Sequence, residues 1–254
     1  MNLNEFDAWL NAFLKKEDFP GDPSRNGIQI GNQSNAQEIR KVAFAVDACE
    51  ASAISAAYAD ADVLVVHHGL FWGACETLTG NMYKRVVPFI TSNMALIAYH
   101  LPLDANKPYG NNYGLAAALG LTECEPFGNW RGMCIGVRGK FKKPVTPKKL
   151  CSSLSKITNT DARLFKFGKD SIETVGIISG GAGEDVVQAA EADLDCYITG
   201  EFCHEDFHTA VESGINVIAG GHYGTETMGV SLLKEKVEKE LGLSTIFIDL
   251  PTNL

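Results

Sequence analysis

The sequence has no surplus of basic residues and no long hydrophobic run. Its 254 residues include 22 Lys and Arg against 31 Asp and Glu, which gives a net charge of −9. An acidic chain is not generally attracted to nucleic acid or to an anionic membrane surface. Because no run of about 18 apolar residues occurs and the N-terminus lacks a signal-peptide pattern, we expect a cytoplasmic protein that does not bind membranes.

Cysteine pairs of the C-x-x-C type are also absent. The seven cysteines are odd in number and irregularly spaced, which argues against a disulfide framework. The apolar fraction of 45% and the charged fraction of 21% are typical of a globular protein. The length suffices for one large hydrophobic core or two smaller ones.

Two β-α-β patterns occur in the chain, one in each half. Apolar runs predict the strands, and Ala-rich stretches predict the helices. A single offset of 133 residues relates the two patterns. The predicted elements are strand 42–47, helix 51–58 and strand 62–67 in the first half, and strand 175–180, helix 184–192 and strand 195–200 in the second.

A further pair of predicted strands extends the similarity between the halves. Residues 95–100 and 216–222 are both apolar, and both stretches end on histidine. We therefore predict an α/β fold built from a duplicated β-α-β unit. The alternative is that short apolar strands and Ala-rich helices resemble one another by composition alone.

Histidine and acidic residues stand at the ends of these predicted strands. Adjacent histidines, 67 and 68, stand at the end of the strand at 62–67. After the strands at 95–100 and 216–222, the terminal histidine is followed by a carboxylate four residues later. Open α/β sheets gather their ligands at the carboxyl ends of strands, so a duplicated unit offers several such ends to one crevice. We predict one metal centre there; the alternative is that each histidine is a hydrogen-bonded core residue. The predicted ligands are His67, His68, Asp104, His222 and Glu226.

The predicted centre binds two ions. Successive side chains of a strand point to opposite faces, so His67 and His68 would each face a different ion where the strand ends. Glu226, with two carboxylate oxygens, is expected to bridge the ions from the first turn of a helix over 225–241. Nitrogen and oxygen donors without cysteine fit two divalent ions per chain, drawn from Zn, Mn, Fe, Co and Ni. Because paired ions activate water, hydrolysis is the predicted reaction class.

The local context of the other ligands also suits metal binding. Asp104 is predicted in a loop opened by Pro102, and His222 in a glycine-rich turn. His100 matches His222 in the other half, and its spacing leaves three roles open: metal ligand, partner that orients a ligand, or proton carrier.

Two further stretches leave their roles open. His204 and His208 share one helical face and spell H-E-x-x-H with Glu205, although that motif normally stands on a longer amphipathic helix. Glu201 shortly precedes them and has no assigned role. Residues 179–183, Ser-Gly-Gly-Ala-Gly, follow a strand and open a helix, so they would either cradle a phosphate or form only a tight turn.

The motifs resemble those of the Ngg-interacting-factor-three-like family, whose bacterial members are often labelled GTP cyclohydrolase type-two homologues. The resemblance is carried by His-His-Gly-Leu-Phe-Trp at 67–72, His-Leu-Pro-Leu-Asp at 100–104 and Gly-His-Tyr-Gly-Thr-Glu at 221–226, with support from 26–31, 179–183 and 199–201. It implies two interleaved α/β domains. The first would comprise residues 1–125 and 220–254 with most metal ligands, and the second residues 126–219.

The resemblance further implies a toroidal homohexamer with its sites facing the cavity, and a dinuclear metal centre made by the same five ligands. For the activity, it implies opening of the GTP imidazole ring with release of formate. We expect catalytic roles for Glu226 and His100. One alternative is a different metal-dependent hydrolase that acts on a nucleotide or another small heterocycle. Another is a metal-binding regulatory or scaffold protein that acts through protein partners.

Overall fold

The computed structural model describes residues 1–34 and 36–254, which form two β-sheets and their associated helices. The strands are β1 (Gly27–Ile30), β2 (Lys41–Asp47), β3 (Val63–His68), β4 (Ala95–Ala98), β5 (Thr122–Trp130), β6 (Met133–Val145), β7 (Arg163–Phe165), β8 (Ile172–Ile178), β9 (Cys196–Thr199), β10 (Asn216–Ala219) and β11 (Ser244–Phe247). The α-helices are α1 (Leu3–Leu14), α2 (Glu50–Tyr58), α3 (Gly80–Thr91), α4 (Leu101–Ala105), α5 (Asn111–Leu119), α6 (Pro147–Thr158), α7 (Val186–Glu191), α8 (His204–Ser213) and α9 (His222–Leu241). The predicted α/β class is confirmed. In the part of the chain that is described, no helix is both long and apolar enough to cross a membrane.

The chain divides into two compact units, each discontinuous in sequence. The first unit comprises Met1–Leu103 and Val230–Leu250, and the second comprises Asp104–Gly229 and Pro251–Leu254. The changeovers therefore fall at 103/104, 229/230 and 250/251, whereas we expected two, at 125/126 and 219/220. Residues 104–125 belong to the second unit because α5 packs against β5, β6 and β8. Asp104, His222 and Glu226 consequently lie in the second unit.

The sheet of the first unit is mostly parallel. Its strand order is β1-β4-β3-β2-β11, and only the edge strand β1 runs antiparallel to its neighbour. The residues of 42–46 and 63–67 are all buried, as is typical of parallel strands covered on both faces. On one face, Leu64 and Val66 pack in the same apolar cluster as Ala53 and Ala56 of α2. This packing fixes β3, whose last two residues are the adjacent histidines.

The sheet of the second unit is mixed. Its strand order is β5-β6-β8-β9-β10-β7, in which β8, β9 and β10 are parallel and the other strands are antiparallel to their neighbours. Leu150 and Leu154 of α6 pack in one buried cluster with Val175, Ile198 and Ile218 of the three parallel strands. Because β8, β9 and β10 are parallel neighbours, their carboxyl ends lie at the same edge of the sheet. Residues 179–183, 200–203 and 220–226 follow these ends.

The register of strand pairing is the same in the two β-α-β patterns. Val42 pairs with Val63 in the first unit, and Val175 pairs with Cys196 in the second, so both pairs are related by the offset of 133 residues. In each unit a third parallel strand, β4 or β10, lies next to β3 or β9. The origin of the two patterns by duplication stays a prediction.

Two local predictions were wrong. Helix α9 begins at His222 and not near residue 225, so His222 occupies the first turn and Glu226 lies one turn further along. Gly224 lies inside this helix, and the close approach of the Thr160 side chain leaves no room for a Cβ atom at this position. Asp104 lies in the short helix α4 and not in a loop, since Pro102 near the start of a helix costs no backbone hydrogen bond.

Candidate functional site

Three histidines of the first unit lie close together at the carboxyl ends of neighbouring strands. His67 and His68 end β3, and His100 follows β4 by two residues. The ring of His67 lies 4.4 Å from the ring of His68 and 5.0 Å from that of His100. Each of the three rings has one nitrogen atom that lies within 4.8 Å of the chosen nitrogen atoms of the other two. This arrangement is suitable for binding a metal ion through imidazole nitrogen.

Each of these rings is oriented by an oxygen acceptor. Nδ1 of His68 donates to Oδ1 of Asp47 at 2.8 Å, and Nδ1 of His67 lies 3.2 Å from the carbonyl oxygen of Tyr99. Because carboxylate and carbonyl oxygens only accept hydrogen bonds, the proton is assigned to Nδ1 in both rings. Nε2 is then the atom with which each ring would bind a metal, as in many metal sites.

His100 is held by a buried carboxylate. Its Nδ1 donates to Oδ1 of Asp22 at 2.9 Å, and the side chain of Asp22 has no solvent exposure. Burial alone would raise the pKa of Asp22, but the hydrogen bond and charge of His100, together with Asn26 and the backbone of Ser24, lower that pKa below its ordinary value. Asp22 is therefore ionised at neutral pH and fixes Nδ1 of His100 as the hydrogen-bond donor.

His222 and Glu226 form a second group of donors, within the second unit. Nε2 of His222 lies 3.3 Å from Oε1 of Glu226, one helical turn away on α9, and Nδ1 lies 2.5 Å from Oε1 of Glu201. Burial lowers the pKa of His222, but the hydrogen bonds and charges of Glu226 and Glu201 outweigh it and raise the pKa to about 9. A metal ion that bound Nε2 at neutral pH would therefore replace a proton.

Asp104 is fixed by two hydrogen bonds to one of its oxygens. Oδ1 accepts from Nδ2 of Asn111 at 2.9 Å and from Oγ of Ser179 at 3.0 Å. The residue is only 7% exposed, and these hydrogen bonds compensate for the burial of its carboxyl group. Asn111 in turn accepts from the backbone N–H of Gly229 at 2.7 Å, which ties α5 to α9 within the same unit.

The glycine-rich stretch after β8 lies against Glu226 and His222. Gly180 has a φ of +69°, and a Cβ atom built on it would overlap Oε1 of Glu226 and lie 3.3 Å from Nε2 of His222. Its N–H donates to Oγ1 of Thr225 at 3.1 Å. The tight-turn interpretation of residues 179–183 thus has a physical basis, since only glycine permits this close approach. Binding of a phosphate there stays a prediction.

The H-E-x-x-H pattern does not lie in a group of ligands. His204 and His208 are on the exposed face of α8 with their ring centroids 6.4 Å apart. Within residues 1–34 and 36–254, no cluster of three metal-binding side chains includes either histidine. Glu201, by contrast, contacts His222 directly, which the sequence did not indicate.

The sequence also did not predict Asp47 and Trp72 as parts of the site. Asp47 ends β2, the strand next to β3, so its position at a strand end was a usable signal. The ring of Trp72 lies 5.0 Å from that of His100 and 6.0 Å from that of His68, and its Nε1 donates to the carbonyl oxygen of Gly69. The indole thus packs beside two of the three histidines.

Comparison with known proteins decides the family. A family model described as Duf34/NIF3 (NGG1p interacting factor 3) matches residues 1–253. The chain belongs to this family. Relatives named GTP cyclohydrolase 1 type 2 homolog include one from Treponema pallidum, 42% identical with complete coverage of both chains. Another, from Deinococcus radiodurans, is 39% identical, and the match covers 99% of this chain and 94% of the length of that relative.

Solved structures of similar proteins have the same fold. The crystal structure of TTHA1606 from Thermus thermophilus gives a TM-score of 0.90 at 37% identity and covers 100% of both chains. Reduced HcgD from Methanocaldococcus jannaschii gives a TM-score of 0.85 at 26% identity and covers 98% of both chains. The family and the fold predicted from the sequence motifs are therefore confirmed.

Proposed function

We propose that this protein is a metal-dependent hydrolase that binds two divalent ions per chain. One observation carries the proposal: every histidine of the predicted site directs Nδ1 at an oxygen, and three of these oxygens belong to carboxylates. Such support is typical of metal-binding histidines, whose orientation and basicity depend on it. The donors are nitrogen and oxygen only, which fits Zn, Mn, Fe, Co or Ni. The proposed ligands are His67, His68, Asp104, His222 and Glu226.

Two bound ions would supply activation of a water molecule and polarisation of the bond under attack. The protein itself would orient the ligands and move protons. His100 is suited to exchange a proton at Nε2 because the buried carboxylate of Asp22 accepts a hydrogen bond from Nδ1 and thereby fixes the orientation of the ring. Glu226 is only 3% exposed and is held beside His222, so its carboxylate is already positioned for a ligand and catalytic role.

GTP is the first substrate to test. Several relatives that are 36–42% identical over nearly the whole chain are named GTP cyclohydrolase 1 type 2 homolog. The corresponding reaction would be hydrolytic opening of the imidazole ring with release of formate. The proposal includes a cytoplasmic location, supported by composition, and a homohexamer, supported by the resemblance to the family.

A second candidate function is a metal-binding regulatory or scaffold protein. The description of the matching family, NGG1p interacting factor 3, refers to an interaction with another protein and favours this alternative. A scaffold would bind its protein partner whether or not metal ions were present.

Metal analysis combined with a formate assay tests the hydrolase proposal. We expect about two ions per chain and formate release from GTP in the wild type. Glu226→Gln should lose bound metal and formate release, because an amide is a weaker ligand than a carboxylate. Glu235→Gln is the matched control, since Glu235 lies on the same helix α9 and is exposed.

Three results would change the conclusion. Bound metal without turnover of GTP or of other nucleotides would favour the scaffold. Unchanged turnover in Glu226→Gln would remove the catalytic role of that residue. A wild-type protein that binds no divalent ion would overturn the proposal.

A further inference from the structure

A cavity of about 640 Å³ lies within the second unit and is lined by Glu201, which contacts His222. It is located where β9 and β10 end, and the antiparallel edge strand β7 forms its side. Crevices at the carboxyl ends of parallel strands are the common ligand sites of α/β sheets, and small-molecule pockets have volumes of roughly 300 to 1,000 Å³. The lining residues that carry the argument are Asp161, Arg163, Phe165, Glu201, Phe202 and Gly221.

Two aromatic rings form one wall of this cavity. The centroids of Phe165 and Phe202 are 4.9 Å apart with an angle of 57° between the ring planes. The guanidinium of Arg163 lies 5.1 Å from the centroid of Phe165. Aromatic faces with a flanking guanidinium are surfaces on which a planar ring can stack. The apolar part of the site therefore favours a flat ligand.

The polar lining determines which flat ligand fits. Asp161 and Glu201 carry carboxylates, which accept hydrogen bonds, so the ligand must present N–H or O–H donors. Arg163 only donates, so the ligand must also present a carbonyl or ring-nitrogen acceptor. Two carboxylates beside one guanidinium disfavour a phosphate in the same cavity. A sugar would supply hydroxyl groups but would not use the aromatic wall as well as a planar ring.

We propose that this cavity binds the base of an amino-oxo nitrogen heterocycle of the guanine type. Glu201 links the cavity to the metal-ligand group, because its Oε1 receives a hydrogen bond from Nδ1 of His222. A base held here lies next to that histidine. The inference deepens the hydrolase proposal by specifying the substrate class, but base binding itself does not require a bound metal.

Titration calorimetry with guanosine tests the proposal on the full chain after treatment with EDTA, and again with divalent ions added. Phe202→Ala should weaken guanosine binding by roughly tenfold, because base stacking is lost. Asp161→Asn should weaken it roughly three- to tenfold, because an acceptor for the base edge is replaced. Inosine, which lacks the exocyclic amine, should bind roughly tenfold more weakly than guanosine. Phe207→Ala is the control, because Phe207 packs against Phe167 outside the cavity lining.

Asp161 is exposed, so Asp161→Asn keeps the test valid even if Phe202→Ala does not fold. Guanosine binding that is weakened by both variants and spared by Phe207→Ala supports the base site, whatever the hydrolysis assay shows. The proposal is overturned by wild-type protein that does not bind guanosine, by equal affinities for guanosine and inosine, or by unchanged binding in Phe202→Ala and Asp161→Asn. GTP hydrolysis combined with unchanged binding in these variants would overturn the base site and leave the hydrolase proposal intact.

Discussion

We expect that any residue larger than glycine at position 180 displaces the side chain of Glu226. The change Gly180→Ala introduces two costs: a backbone with φ of +69° that disfavours a side chain, and overlap of the new Cβ atom with Oε1 of Glu226. The backbone term is about 1 to 2 kcal/mol for a residue other than glycine. Moving a packed side chain out of the way adds on the order of 2 kcal/mol.

Gly242→Ala isolates the backbone term. Gly242 has nearly the same φ, +66°, but nothing lies within 4 Å of a Cβ atom built on it. We expect Gly180→Ala to unfold about 4 to 8 °C below Gly242→Ala, since each kcal/mol corresponds to about 2 to 4 °C in a chain of this size. The measurement is thermal unfolding of metal-free protein followed by circular dichroism.

A double-mutant cycle assigns the difference to Glu226. In a Glu226→Ala background the overlapping oxygen is absent, so Gly180→Ala should cost no more than Gly242→Ala. The reasoning is refuted if Gly180→Ala and Gly242→Ala have equal melting temperatures with Glu226 in place. It is also refuted if the excess cost of Gly180→Ala persists without the Glu226 carboxylate.

Three further predictions follow from the contacts and charges of the site and of α7. Asp22→Asn should lower the free energy of unfolding at pH 7 by about 2 to 4 kcal/mol, because His100 loses a buried ionised partner. Since the pKa of Asp22 is lowered on folding, the difference from wild type should shrink as the pH falls through that pKa, and a difference in urea denaturation that does not depend on pH would contradict this. Burial raises the pKa of Asp185 to about 6 despite a hydrogen bond from Gln188. Between about pH 4 and 6 the folded protein therefore binds more protons than the unfolded chain, and its stability falls as the pH rises through this window. Asp185→Asn should remove that slope and stabilise the protein at pH 7 by on the order of 2 kcal/mol, whereas an unchanged slope between pH 4 and 7 would show that Asp185 is not its source. His208→Ala should leave the metal content of the protein unchanged in elemental analysis, because His208 belongs to no group of three ligands in the described residues, and loss of an ion would show that α8 binds metal.

The sequence determined the local elements that carry the site. Continuous apolar runs such as 62–67 predicted buried parallel strands, and the structure contains β3 at Val63–His68. The histidines at 67, 68 and 100 were expected at strand ends, where they are found. These features depend on composition and periodicity over a few neighbouring residues, which a sequence displays directly.

Helix starts near glycine and proline were less predictable. The glycines at 220, 221 and 224 indicated a turn, yet α9 begins at His222. Glycine disfavours a helix by only about 1 kcal/mol, and at position 224 the close approach of Thr160 excludes any residue with a Cβ atom. Pro102 similarly indicated a loop, although proline is compatible with the first turn of α4.

Only the tertiary structure decided which groups orient the predicted ligands. Asp22 is 78 residues from His100 in the chain, and Glu201 is 21 residues from His222, so no local pattern links them. The overlap that requires glycine at position 180 likewise depends on a side chain of α9. Such pairs form when separate strands and helices pack together, because side-chain hydrogen bonds depend on distances in space and not on spacing along the chain. The sequence thus specified which residues have the chemistry to bind metal, and the packing of strands and helices within each unit determined how those residues are held.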